Sequence, residues 1–366
     1  MEIAIFINTL LGGGAERVVA NLANFLVEKN EEVTVLNYYV TDSPYQLDKR
    51  IKRAYVFPSF VNNNRVLRLI FLKLFREQII SRRVNAFFKQ NKVDCCVVLL
   101  ENATIDLLKR RENVSCPIIV SERSFPGEYC YKTKTMLKAL ATKADGFVFQ
   151  TEKAREWYEE SVSDSVIIPN AVNPSFLGNG VFGGKRRKTI VSVGRLIKQK
   201  NHELLIKAFS NLNRVEYTLE IYGEGPLHSQ LLELISNLGL IGRVFLKGFS
   251  NDICNSIIDA SLFVMSSDCE GLPNSLVEAM ALGLPCISTD FDGGGVHVII
   301  DHEVNGIIVP KRDEISLSNA MRRIIDNQQF AESLSLAAIN KAKVFSPNSI
   351  YAKWHEYIKK IATIGD

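Results

Sequence analysis

Residues Leu262–Glu278 read LFVMSSDCEGLPNSLVE. The run Leu262–Met265 is short and apolar, as a buried strand is. Glu270 falls in the loop where that strand ends. Pro273 is a good first-turn residue, and Asn274 or Ser275 can start a helix. Inside that helix Glu278 is flanked by Leu276, Val277, Ala279 and Met280. A carboxylate buried there without partners costs several kcal/mol. The helix must therefore bond it or turn it to a cleft. A ribose suits it, because an ionised carboxylate accepts from two neighbouring hydroxyls.

Outward from this stretch the strand–turn–helix pattern repeats in both directions. In the first half the apolar runs are Ile3–Ile7, Val33–Leu36, Val93–Leu100, Ile118–Val120, Gly146–Phe149 and Ile167–Pro169. Apolar strands alternating with helices imply a parallel sheet covered on both faces. Residues 170–188, NAVNPSFLGNGVFGGKRRK, break the pattern with Gly, Asn and Pro and close on basic residues, so they read as a linker. The alternation restarts at Thr189–Val193 and continues through Thr218–Tyr222, Val244–Leu246, Leu262–Met265, Pro285–Ser288 and Gly306–Val309. The expected architecture is α/β, with two Rossmann-like doubly wound domains facing across a cleft. Residues 1–172 form the first and 188–348 the second, and an amphipathic helix over 349–366 crosses back to the first. Ligands are expected at the carboxyl ends of the strands.

Whole-chain numbers narrow the class. With 366 residues, two domains can each bury a core. A net charge of +4 is too mild for a nucleic-acid protein but allows attraction to anionic substrates or an anionic membrane face. The seven cysteines are scattered, without metal-ligand spacing, and read as reduced buried thiols. Glu2 stands where a signal peptide is basic, and no apolar run approaches the ~20 residues of a bilayer span. The expected location is the cytoplasm.

The chemistry gathers at strand ends in the second half. Arg195 leaves the strand Thr189–Val193 beside Gly194, and Lys200 precedes a helix that Asn201 can cap. A loop can fold this pair around one diphosphate, with arginine as a fork, lysine as a point charge and the helix N-terminus adding its partial charge. Read without the rest, it is equally a solvated basic turn. Gly223 and Gly225 follow another strand; such glycines let a backbone approach a ring or phosphate, or are steric only. The amides of Asn274, Ser275 and Leu276 open the helix behind Glu270 and form an anion-binding end.

This order of motifs resembles the retaining glycosyltransferases of family four, which have the GT-B architecture. The resemblance covers almost the whole chain. It rests on Gly12-Gly13-Gly14-Ala15-Glu16-Arg17, Ile168-Pro169-Asn170, Gly194–Asn201, Gly223–Leu227, the glutamates Glu270 and Glu278, and Ala279–Pro285. It implies transfer of a hexose or N-acetylhexosamine from a UDP-sugar with retained configuration. Arg195 and Lys200 would neutralise the leaving diphosphate, Glu270 would hold the donor sugar and Glu278 the ribose. Gly14, Gly194, Gly225, Asn274, Ser275 and Leu276 would complete the donor site. The attacking hydroxyl's proton would pass to the departing phosphate oxygen, so no protein base is required.

Two departures stand out. Ser121-Glu122-Arg123 replaces a histidine that many relatives carry, and resembles the subset found in polysaccharide and O-antigen assembly. Glu122, with a catalytic role, and Arg123, on the acceptor, would face the sugars, and Arg17 would serve the acceptor's phosphate or simply cap local structure. His297 and Val298 stand where relatives have a basic residue and a glutamate. Asp290-Phe291-Asp292 matches a metal motif of a different architecture, but Arg195 and Lys200 already supply positive charge, so no metal and no cofactor is expected. Arg65–Arg83 interleaves basic and apolar residues. It reads equally as a helix packed on its sheet or as a peripheral contact with the inner leaflet, where a saccharide on a lipid diphosphate carrier would be the acceptor. No nucleic-acid partner is expected. The rivals are a UDP-sugar epimerase or hydrolase of the same architecture, and a sugar-binding protein without catalysis. A dehydrogenase is disfavoured because Arg17 occupies the place of the third glycine of its fingerprint.

Overall fold

A computed structural model describes residues 1–11, 13–57, 65–158, 161–162, 164–178 and 182–363, with backbone alone for 65–74. The chain divides into two compact units, Met1–Pro169 with Ile350–Asp366, and Asn170–Ser349.

The first unit runs β1 (Glu2–Ile7), α1 (Gly14–Glu28), β2 (Glu32–Asn37), β3 (Lys52–Tyr55), α2 (Arg65–Gln90), β4 (Cys95–Leu99), α3 (Glu101–Leu108), β5 (Ile118–Ser121), α4 (Tyr131–Ala141), β6 (Gly146–Phe149), α5 (Glu152–Tyr158) and β7 (Ser165–Ile167). Its seven strands are parallel, in the order β3-β2-β1-β4-β5-β6-β7. Strand β3, KRAY, has no apolar run to announce it. It sits at the sheet's edge, where polar residues are tolerated. The second half of α2 packs in the ordinary way. Ile80, Val84, Phe87 and Phe88 are buried, Arg76 bonds the buried Asp106 at 2.6 Å, and Arg110 bonds Glu77 at 2.6 Å. Phe75, Arg82 and Arg83 stay exposed. The side chains of Arg65 to Leu74, half of the segment considered for membrane contact, lie outside the described residues, as does Gly12. Among the described residues no helix is long and apolar enough to cross a membrane.

The second unit runs β8 (Arg187–Val193), α6 (His202–Ser210), β9 (Thr218–Tyr222), α7 (His228–Asn237), β10 (Val244–Gly248), α8 (Ile253–Ile257), β11 (Ala260–Met265), α9 (Asn274–Ala281), β12 (Cys286–Thr289), α10 (Gly295–Ile299), β13 (Ile307–Val309), α11 (Glu314–Asp326) and α12 (Gln328–Ala342). Its order, β10-β9-β8-β11-β12-β13, is again all parallel. Strand order reverses between β8 and β11, and ligands in such sheets bind where that reversal opens a crevice. The loops after these two strands carry Lys200 and Glu270. The basic end of the expected linker belongs to this sheet. The Arg186 guanidinium donates to the carbonyls of Ile258, Ala260 and Gly283, and Arg187 pairs with Asp259 at 2.9 Å. Val172 and Phe176 are buried in this unit's core.

Helix α13 (Pro347–Ala362) begins in the second unit and completes the first. Its Ile350, Tyr351, Trp354, Ile358 and Ile361 are buried. The Tyr357 hydroxyl donates to Asp164 at 3.0 Å and accepts from the Phe147 amide at 3.1 Å. His355 Nε2 donates to Glu31 at 2.6 Å. Trp354 is fully buried, and Arg123 lies over its ring at 5.2 Å. Trp354→Ala should therefore cost the first unit about 3–5 kcal/mol, measured as a shift in its denaturant midpoint.

Candidate active site

The loop after β8 and the loop after β11 are stitched together. The Asp268 amide donates to the Gln199 carbonyl at 2.8 Å, and Gln199 Nε2 donates to the Cys269 carbonyl at 2.7 Å. Ser266 Oγ donates to the Lys200 carbonyl at 3.0 Å, and Asn201 Nδ2 to Asp268 at 3.1 Å. The Asn201 side-chain oxygen also caps α6 through the Leu204 amide. These bonds bring Lys200 Nζ to 2.5 Å from Glu270 Oε1, and the two side chains are only 16% and 12% exposed. Arg195, five residues earlier, is exposed and has no ion-pair partner among the described residues.

Glycines set how closely the neighbouring loops approach. A Cβ on Gly225 would stand 2.4 Å from the Leu196 carbonyl oxygen, and the Leu196 amide donates to Glu224 at 2.9 Å. Gly225 thus has a steric duty beneath the loop that follows β8. A Cβ on Gly295 would stand 1.8 Å from the Gly271 carbonyl oxygen. The glycine run before His297 is therefore the floor on which the Glu270 loop rests. The Glu270 amide donates to the Asp292 carbonyl at 3.1 Å, and Asn170 Nδ2 donates to Leu272 at 3.1 Å. Lys200's aliphatic stem runs close beside Gly194.

Asn274, Ser275 and Leu276 form the first turn of α9, and Glu278 lies one turn further on, 8% exposed. Asp290 and Asp292 point to different partners: His297 Nε2 at 2.9 Å and Lys311 at 2.6 Å. No group of three or more metal-binding side chains occurs among the described residues. His202 opens α6 with Nε2 3.3 Å from the Gly194 carbonyl, and burial pushes its pKa down from 6.5 to about 4. A cavity of about 480 Å³ is lined by Lys198, Asn201, His202, Leu231, Asp268 and Arg312, without Lys200 or Glu270.

Four expected site residues lie in the first unit. Gly14 is the exposed first residue of α1, and Arg17 sits half-buried within it. Glu122, expected to meet a sugar, is buried. It is 5% exposed and accepts from Tyr129 Oη at 2.8 Å, Ser124 N at 3.1 Å and Tyr158 Oη at 2.9 Å. Burial raises its pKa. Such a carboxyl knits β5 to the following turn and to α5. Arg123 is likewise taken up by the fold, over Trp354 and 3.4 Å from the Ile168 carbonyl, and burial lowers its pKa to about 10. Tyr129 and Tyr158 gave no sequence signal for this role, because they lie 7 and 36 residues away.

Residues 182–341 match the family "Glycosyl transferases group 1". A Campylobacter jejuni protein named N-acetylgalactosamine-N,N'-diacetylbacillosaminyl-diphospho-undecaprenol 4-alpha-N-acetylgalactosaminyltransferase is 28% identical over 359 residues, covering 94% of this chain and 95% of that one. Sucrose-phosphate synthase from Thermosynechococcus elongatus superposes with a TM-score of 0.82 at 17% identity, over 99% of each chain. Anabaena HepE in complex with UDP superposes with a TM-score of 0.78 at 18% identity, over 98% of this chain and all of that one. The family match thus lies within the second unit, over residues 182–341, and the fold of the chain is GT-B.

Two outcomes test the site's construction. Gly295→Ala forces a Cβ onto backbone that has nowhere to move, so it should cost about 1–3 kcal/mol and weaken nucleotide binding, read by thermal shift. His202 is neutral in the fold and is protonated more readily when unfolded. Its contribution is therefore complete above pH 6.5 and is lost as pH falls towards 4, by about 3 kcal/mol in all. Denaturant midpoints at pH 7 and pH 4.5 should show a shallower pH slope in His202→Gln than in the wild type.

Proposed function

We infer that this chain is a retaining hexosyltransferase that moves a hexose or N-acetylhexosamine from a UDP-sugar to a saccharide on a lipid diphosphate, in bacterial surface polysaccharide synthesis. The observation that carries the reading is the Lys200–Glu270 pair at the strand-order reversal, behind the N-terminus of α9. The UDP bound to HepE and the diphospho-undecaprenol in the Campylobacter enzyme's name support the donor and acceptor classes.

In this reading an ammonium has three protons, so Lys200 can keep Glu270 and still donate to the β-phosphate. Arg195 supplies the forked cation, and the amides of Asn274–Leu276 add the helix end's partial charge. Glu270 takes the sugar's hydroxyls and Glu278 the ribose. As the bond from the anomeric carbon to phosphate oxygen breaks, its electron pair stays on that oxygen. The acceptor hydroxyl attacks on the same face, and its proton passes to that phosphate. Fixed cations favour the transition state because negative charge grows there. Arg195 and Lys200 provide the charge that a metal ion supplies elsewhere, so no metal is invoked. The lipid-borne acceptor places the reaction at the cytoplasmic face of the inner membrane.

The test is transfer from a panel of UDP-sugars to an undecaprenyl-diphosphate saccharide, with the new linkage assigned by NMR. An α-linked product from an α-linked donor is expected, and Lys200→Ala or Glu270→Ala should lose about a hundredfold or more in kcat. Turnover without acceptor at the same rate would favour a hydrolase. Inversion, or full activity in both variants, would overturn the mechanism.

A further inference from the structure

Glu270 has two oxygens, and the fold uses them unequally. Lys200 Nζ lies 2.5 Å from Oε1, and Ser267 Oγ donates to the same Oε1 at 2.9 Å. Oε2 takes no hydrogen bond among the described residues. Ser267 is itself fixed: it is 1% exposed, and Thr289 Oγ1 donates to its carbonyl at 2.5 Å. Thr289 ends β12, so the hydroxyl that meets Glu270 is referenced to the sheet, not to a loose loop.

We propose that Ser267 is a positioning residue that pins Glu270 through Oε1, turns Oε2 to the donor sugar's hydroxyls, and thereby sets which sugar epimer is accepted. This rests on Glu270 being the sugar-binding group. A carboxylate held through one oxygen presents its other oxygen in one direction. An epimer whose hydroxyl misses that oxygen leaves a desolvated acceptor unmatched, a larger loss than the gain from one good bond. Without the serine hydroxyl, the ammonium of Lys200 is free to draw in both oxygens, and Oε2 loses its aim. A nucleotide lacking the sugar never meets Glu270, so binding of UDP alone separates this role from general loop integrity.

The experiment is calorimetric titration of the whole chain with UDP and with UDP-glucose, UDP-galactose, UDP-N-acetylglucosamine and UDP-N-acetylgalactosamine, which form two pairs of 4-epimers. Ser267→Ala should bind UDP within twofold of wild type. It should lose about tenfold in affinity for the preferred UDP-sugar and most of the preference over its 4-epimer. Ser267→Cys should fall between, because a thiol is a weaker donor. Unchanged sugar affinity and epimer ratio in Ser267→Ala would overturn the proposal, as would a loss of UDP affinity in step with that of the UDP-sugar. Glu270→Gln separates the layers. If it binds the sugar donors like wild type, the reading of Glu270 fails and the proposal with it. If it is impaired while Ser267→Ala is not, only the role of Ser267 fails. A wild type that binds none of the five nucleotides overturns both.

Discussion

One ion pair organises the second unit's site: the ammonium of Lys200 on the carboxylate of Glu270. Both groups are largely shielded from water, where an isolated charge is expensive. Each therefore depends on the other, and each loop depends on the bonds that keep the pair aligned. The stitching between Gln199–Asn201 and Ser266–Cys269 holds two backbones in register so that one short contact survives. The glycine at 295 is required because that assembly leaves no room for a side chain beneath Gly271. Sheet topology, loop bonding and glycine placement thus converge on a single electrostatic demand.

Much of the scaffold was legible in the sequence, for a local reason. A strand buried on both faces is apolar along its whole length, so Gly146–Phe149 announces itself and the structure reproduces that range. Strand β3 escaped because an edge strand is free of that requirement, and Lys52–Tyr55 is half polar. The basic run before β8 looked like a solvated linker. In the fold Arg186 spends its guanidinium on three carbonyls, a use that depends on residues about 70 to 100 positions away and leaves no local mark.

The site divides along the same line. Lys200 and Glu270 were readable because a cation and an acid at strand ends are chemically conspicuous. Gln199 and Asp268 were not, since their work consists of contacts across some 70 residues of chain, and Ser267 was not, since its bond to Glu270 depends on how the intervening turn folds. Around Glu122 the sequence shows an acid after an apolar strand, but not that Tyr129 and Tyr158 donate to it. Composition cannot distinguish an acid that serves substrate from one that serves the fold.

The last helix has a further consequence. Since Ile350–Asp366 completes the unit that Met1–Pro169 begins, the Asn170–Ser349 unit is an insertion in the chain's connectivity. On the ribosome the nascent amino-terminal sheet must wait, with the seat of Trp354 uncovered, until the inserted unit has been translated. A nonsense codon anywhere in the inserted unit therefore leaves that earlier sheet unfinished, however complete its own strands are.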